Sequence, residues 1–254
     1  MAYTTIDDPS QHFDILTRSG VYDSSGTYDL TGLNFQPDFV WEKVRSVSGD
    51  HYLQNSSLTG KKMLKSNSNA AENTDGNIES YLSNGIQINR QYDWNSSRTL
   101  VDWFWKANGG TTSSNTDGSI TSTVQVNDTA GFSIVTYTGN ETAGATIGHG
   151  LSAAPDVVIV KNRESAREWM IGHQAYVDGG NSENLRLNST AVPASADDQA
   201  GSGWHRTAFG SSVFTVGDGQ DGDYTEGTNN GTDDHVAYCF REIKGYSKFG
   251  SFVS

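Results

Sequence analysis

The sequence predicts an all-β protein: two tandem antiparallel β-sandwich, jelly-roll-like domains related by an internal repeat. Three observations lead there. Residues 37–45 read Pro-Asp-Phe-Val-Trp-Glu-Lys-Val-Arg and residues 155–163 read Pro-Asp-Val-Val-Ile-Val-Lys-Asn-Arg, an offset of 118. That offset is a domain length, since solenoid repeats recur at roughly 20–50 residues. Only 34% of the 254 residues are hydrophobic, yet 11% are aromatic and 28 are glycine. This mixture suits short strands built on large rings and joined by many turns. No helix pattern of comparable strength is present, and the best, at residues 61–64, is too short.

Taken in order, residues 1–12 precede the first copy. Phe13-Asp14-Ile15-Leu16-Thr17 opens it and matches Phe132-Ser133-Ile134-Val135-Thr136. Residues 39–41 and 157–160 are continuous apolar runs just after a proline, as in central strands covered on both faces. Residues 64–68 match 185–189. Ile86 with Ile88, and Phe214 with Val216, alternate with polar neighbours and suit strands with one wet face. Residues 100–106 match 235–241. Trp103 and Trp105 there sit two apart and share a face, as do Tyr238 and Phe240; these pairs are the expected core anchors. The offset grows from 118 to 135 along the chain, so the second copy carries insertions, which belong in surface loops.

Between the copies, residues 108–118 read as a Gly/Ser/Thr/Asn linker. Residues 120–126 alternate as Ile-Thr-Ser-Thr-Val-Gln-Val and read as a strand able to pair with either domain. The expected organisation is therefore a first repeat at 13–110, a linker with a shared strand at 111–130, and a second repeat at 131–254 with an extra C-terminal strand. Residues 245–253 resemble each opening strand. They read as an ordinary terminal strand, as a strand added to a neighbour's open sheet edge, or as the remnant of a third copy.

A net charge of −13 and a pI near 4.7 argue against binding DNA or RNA through phosphates and against contact with anionic membranes. No run approaches the ~18 apolar residues of a membrane span, and the N-terminus carries no basic, apolar export signal. The single cysteine, Cys239, excludes an intrachain disulfide; its apolar surroundings suit a buried thiol. The expectation is a protein made in a reducing cytoplasm.

Several blocks carry a family likeness: the 37–45 motif, Asn-Thr-Asp-Gly-Ser-Ile-Thr-Ser at 115–122, Ala-Gly-Phe-Ser-Ile-Val-Thr-Tyr-Thr-Gly at 130–139, Gly148-His149-Gly150-Leu151 and the Gly-Tyr-Ser-Lys-Phe-Gly-Ser end. Together they resemble a repeat domain of virion structural proteins, tail fibres and appendages among them, from marine and cyanobacterial tailed bacteriophages. The resemblance implies an oligomeric, all-β virion protein with no cofactor and no catalytic residue. The first copy departs from it, reading Leu-Thr-Gly-Leu at 30–33 where the second has Gly-His-Gly-Leu. That departure argues against a shared chemical role for His149.

The chemistry-bearing residues give little foothold for catalysis. The six histidines show no zinc-ligand spacing, and His149 between two glycines marks a tight turn. No Gly-x-Ser-x-Gly elbow, phosphate loop or helix-opening Gly-x-Gly-x-x-Gly occurs. With thirty acids, chance carboxylate pairs are unavoidable, so no pair is singled out for glycoside cleavage. Asp218, Asp221, Asp223 and Glu226 lie on a Gly-rich loop that could wrap calcium, although an exposed, solvated turn explains them as simply. Aromatic residues beside polar segments, Trp94, Trp169, Tyr176, Trp204 and Tyr224 above all, are the candidate surface contacts, since rings on loops can stack on sugars.

The expected function is thus a non-enzymatic virion structural protein, a tail fibre or tail appendage acting in assembly and host-surface attachment, with residues 1–12 docking to the particle. Its partners would be other virion proteins, copies of itself and a host glycan or protein. The alternatives are a capsid decoration or head-fibre protein, and a carbohydrate-binding or polysaccharide-cleaving module.

Overall fold

The computed structural model describes residues 5–174, 183–190, 194–195, 204, 207–218 and 227–250. The chain divides into two compact units, residues 8–111 and residues 1–7 with 112–254; they are called the first and second unit below. Apart from short 3-10 turns and a helical residue at Gln174, the described secondary structure is β; all pairs of the strands below run antiparallel, and an isolated bridge joins Ile120 to Ile147 in parallel. Among the described residues none of the sheets closes on itself.

The first unit contains β1 (Phe13–Ser19), β2 (Thr27–Thr31), β3 (Phe39–Val44), β4 (His51–Asn55), β5 (Leu64–Lys65), β6 (Ile78–Leu82), β7 (Gly85–Asn89) and β8 (Thr99–Trp105). They form a five-stranded sheet in the order β1-β8-β3-β4-β5 and a three-stranded sheet in the order β2-β7-β6. Leu16, Val40 and Phe104 of the large sheet pack on Leu30, Ile78, Ile86 and Ile88 of the small one, giving a sandwich-like pair of layers.

The second unit contains β9 (Ser113–Asn115), β10 (Ser122–Asn127), β11 (Phe132–Thr138), β12 (Thr146–Gly148), β13 (Val157–Asn162), β14 (Met170–His173), β15 (Glu183–Arg186), β16 (Ala194–Ser195), β17 (Val213–Thr215) and β18 (Asp234–Phe240). Its large sheet runs β16-β15-β14-β13-β18-β11-β10-β9, and β12 pairs with β17. The central order β11-β18-β13-β14-β15 is that of β1-β8-β3-β4-β5. Registers agree as well: Phe13 and Phe39 both face Trp105, while Phe132 and Val157 both face Phe240.

The twice-written Pro-Asp has a structural reason. Asp38 accepts from the backbone N–H groups of Ala107, Gly109 and Gly110 at 2.7, 2.9 and 2.6 Å and from Ser56 Oγ at 2.7 Å. It thereby fastens the chain leaving β8. Asp156 does likewise after β18, accepting from Glu242 N at 2.6 Å. Each aspartate also donates its own N–H to the last residue of that strand, Trp105 or Phe240, at 2.8 Å. The motif is a clip between the first residues of β3 or β13 and the exit of β8 or β18.

The structure changes or narrows three expectations. Trp103 and Trp105 are half-buried on the outer face of β8, and Phe104 is the core residue; a period of two defines two faces but not which one is inside. The strand expected at 120–126 is β10 and belongs to the second unit, and the supposed linker holds short β9 beside it. Residues 244–246 form a turn around Gly245 (φ 81°), and no strand runs over 245–250, while residues 251–253 of the expected strand lie outside the described residues. Both flanks of β11 are already occupied by β10 and β18. Tyr246 packs instead against Ile6, Ala130 and Ile243.

Candidate functional site

The alternation of side chains along a strand sets the site. On β3, Val40, Glu42 and Val44 share the inner face, and on β8 Leu100, Asp102 and Phe104 do. Glu42 stands directly opposite Asp102 in the ladder. Arg18 of β1 reaches diagonally to both. Its Nε donates to Asp102 Oδ2 at 2.8 Å, and Nη2 donates to Glu42 Oε2 at 2.5 Å. Nη1 and Nη2 grip the two oxygens of Asp93 at 2.7 and 3.0 Å. Asp93 is delivered by a 3-10 turn (Arg90–Tyr92) that it caps, and Val21 N–H holds it at 2.8 Å. Asn77 Nδ2 donates to Glu42 Oε2 at 3.0 Å, while the Asn77 N–H bonds Gln54 Oε1 at 3.1 Å. The close approach requires glycine at 76, where a Cβ would fall 2.2 Å from Gln54 Nε2.

Three carboxylates around one guanidinium carry surplus negative charge, with every side chain 7% exposed or less. Removal from water, reinforced by the Asp102 charge, pushes Glu42 up to about 8. Burial raises Asp102 as well. Asp102 Oδ1 has no other donor, and a proton kept on the facing Glu42 supplies one. At neutral pH the pair therefore holds one proton between two carboxyl groups.

The second unit shows that this sheet plan does not need those ions. At the equivalent ladder positions Arg18 becomes Tyr137, Glu42 becomes Val160 and Asp102 becomes Ala237, all three inside the apolar core. Exchanging a buried ionic set for packed apolar residues is often neutral or stabilising. An ionic set kept in one unit is then a functional-site candidate rather than a requirement of folding.

Above the cluster opens a pocket of about 330 Å3. Glu42, Asn77 and Asp93 form its floor, Tyr52, Tyr92 and Trp94 its aromatic wall, and Lys65 and Asp75 lie on its rim. Tyr92 is 44% exposed, and Lys61 Nζ sits 5.3 Å from its ring centre. Lys65 is held by Asp50 at 2.8 Å. Such a lining can hold a small polar ligand by ring stacking and by polar contacts at its rim.

Of the sequence-predicted aromatics, Trp94 lines this pocket. Trp169 and Trp204 are corrected: they are 0% and 1% exposed. Trp169 stacks on Tyr238 with centroids 6.5 Å apart, and Trp204 packs between Phe209 and Phe214. Polar sequence neighbours hid their burial: Tyr238 of β18 covers Trp169, and Phe209, Phe214 and Gly172 of β14 crowd Trp204. Tyr176 and Tyr224 lie outside the described residues, as do Asp221, Asp223 and Glu226 of the suggested calcium loop; Asp218 is half-buried. Among the described residues no group of three or more His, Cys, Asp or Glu is placed to hold a metal ion. His149 is buried in its turn, its Nδ1 accepting from Leu151 N at 3.1 Å and its Nε2 3.2 Å from Gly210 O. Cys239 is a buried thiol pushed up to about 12 by burial. Sequence reasoning missed Arg18, Glu42 and Asp102. The signal was there: charges at 18, 42 and 102 stand against Tyr, Val and Ala at the matched positions 137, 160 and 237.

Fold and site together define a two-unit antiparallel β protein with a polar, ring-walled pocket in the first unit. Residues 8–254 match a family described as a domain of unknown function, DUF7483. The chain belongs to that family, whose span includes nearly all of both units. No curated protein and no solved structure matches the chain.

Proposed function

We propose that the protein is a non-enzymatic structural component of a tailed-phage virion, a tail fibre or appendage subunit built from two copies of one jelly-roll-like sandwich. The observation that carries this reading is the common strand order of the two units, β1-β8-β3-β4-β5 and β11-β18-β13-β14-β15, with a Pro-Asp clip at the same place in each. It supports the internal repeat; the likeness to virion proteins rests on the blocks at 37–45, 115–122, 130–139, 148–151 and 245–251. The buried carboxyl groups are spent on Arg18 and on one another, an arrangement that favours binding over turnover. Immunogold labelling of phage particles carrying this protein tests the reading. Label on the tail supports it, label over the head selects the decoration or head-fibre alternative, and particles without label overturn both.

A carbohydrate-binding role for the first unit is the second reading, and the Tyr52, Tyr92 and Trp94 wall above polar floor groups favours it. Rings that stack on sugar faces beside amide and carboxyl partners are the chemistry such a site needs. Titration with host-surface polysaccharide should give saturable binding that Trp94→Ala weakens at least tenfold. Equal binding by both proteins would place the contact elsewhere.

A further inference from the structure

The large sheet of the first unit ends on β1, and the second unit shows what such a strand accepts. Lys106 N donates to His12 O and Gly20 N to Arg98 O, each at 2.9 Å. By antiparallel alternation, residues 14, 16 and 18 then bond β8, while Phe13, Ile15, Thr17 and Ser19 turn their N–H and C=O groups away from it. In the second unit Gly139 N donates to Asp233 O at 2.9 Å and Arg241 N to Gly131 O at 2.7 Å, which sets the same parity. There the outward residues Phe132, Ile134 and Thr136 are met by Asn127, Gln125 and Thr123 of β10. The pattern Phe-x-Ile-x-Thr is identical in β1 and β11. Its central isoleucine is 0% exposed at 134 and 46% exposed at 15. Among the described residues no strand pairs with the outward side of β1, and the Ile15 N–H takes the Asp14 carboxylate at 2.8 Å instead.

We propose that this edge is an interface for a second copy of the chain, β1 pairing antiparallel with β1 across a two-fold axis at Leu16. The strand complements itself in that register. Ser19 falls opposite Phe13 and Thr17 opposite Ile15, setting polar or β-branched residues across apolar ones as β10 sets Asn127 and Gln125 across Phe132 and Ile134. Asp14 falls opposite Arg18 of the other copy, whose guanidinium stays in its own buried cluster, and by symmetry each cross-strand pair occurs twice. An open edge is a template for strand addition, and closing it this way joins two five-stranded sheets into one. The inference goes beyond the proposed virion role and does not depend on it.

Sedimentation velocity on the full chain at micromolar concentration, with hydrogen exchange of residues 13–19, tests it. A dimer with slowed exchange at residues 15 and 17 is expected. Thr17→Pro removes an outward N–H that β8 does not use, so it should weaken self-association at least tenfold while β8 amides stay protected. Ile15→Lys, which keeps the backbone intact, should weaken it in the same direction. A wild-type monomer, an assembly that both variants leave unchanged, or a monomer with residues 13–19 already protected by its own chain would each overturn the proposal.

Discussion

Acid should loosen the second unit, and His235 gives the largest single handle on it. His235 is 0% exposed, its ring stacked on Tyr137 at 5.0 Å and 8°, with Nδ1 2.9 Å from Asp233 O and no partner on Nε2. Burial outweighs the nearby Asp233 and Asp234 and, aided by Lys161, lowers it from 6.5 to about 4. The unfolded chain therefore binds the proton first. Stability is complete above pH 6.5 and is lost as the pH falls toward 4. Each tenfold change in proton affinity is worth ~1.4 kcal/mol, so the whole effect is about 3 kcal/mol, about 2 of it gone by pH 5. His235→Leu installs the residue that the first unit carries at the equivalent position, Leu100. Hydrogen exchange of β11 and β18 at pH 7.5 and 5, run under matched denaturant, resolves this unit from the other. The variant should lose about 2 kcal/mol less than wild type over that range. Equal losses would refute the assignment.

The first unit should respond in the opposite sense. Because Glu42 is raised above its ordinary 4.5, its contribution is complete below pH 4.5 and fades as the pH rises toward about 8; Glu42→Gln should flatten that loss in exchange of β3 and β8. Arg18→Met leaves three buried carboxyl groups, at least two of them charged, without their cation and should destabilise the unit by about 3–5 kcal/mol. Combining Arg18→Tyr, Glu42→Val and Asp102→Ala with Asp93→Asn should recover most of this in urea melts. Asp38→Ala leaves three backbone N–H groups without their acceptor and should lower stability by about 2–4 kcal/mol, read in the same melts. Trp204→Ala should cost about 3–5 kcal/mol through the cavity it opens, whereas Trp94→Ala should leave the melting midpoint nearly unchanged.

Much of the fold was legible because β-structure writes itself locally. The runs at 13–17, 39–41, 86–88 and 100–105 and their counterparts all lie in strands or overlap them, and a Pro-Asp pair recurs wherever the exit of the last central strand must be fastened. Legibility failed where two faces carry similar apolar weight. On β8 Asp102 sits on the buried face and Trp103 and Trp105 on the outer one, the reverse of what hydrophobicity alone suggests, because Arg18 and Glu42 satisfy the aspartate. Trp169 and Trp204 were misjudged for the related reason that burial depends on tertiary neighbours, Tyr238 for the first and Phe209, Phe214 and Gly172 for the second.

Strand positions, turn chemistry and the duplicated motif were determined by the sequence by itself, since each rests on neighbours a few residues apart. Which strand lies beside which, and so the meeting of residues 18, 42, 77, 93 and 102 under one pocket, was decided only by the tertiary structure. Those side chains converge across gaps of up to 84 residues, and no local pattern encodes a contact whose partners are chosen by sheet order and register.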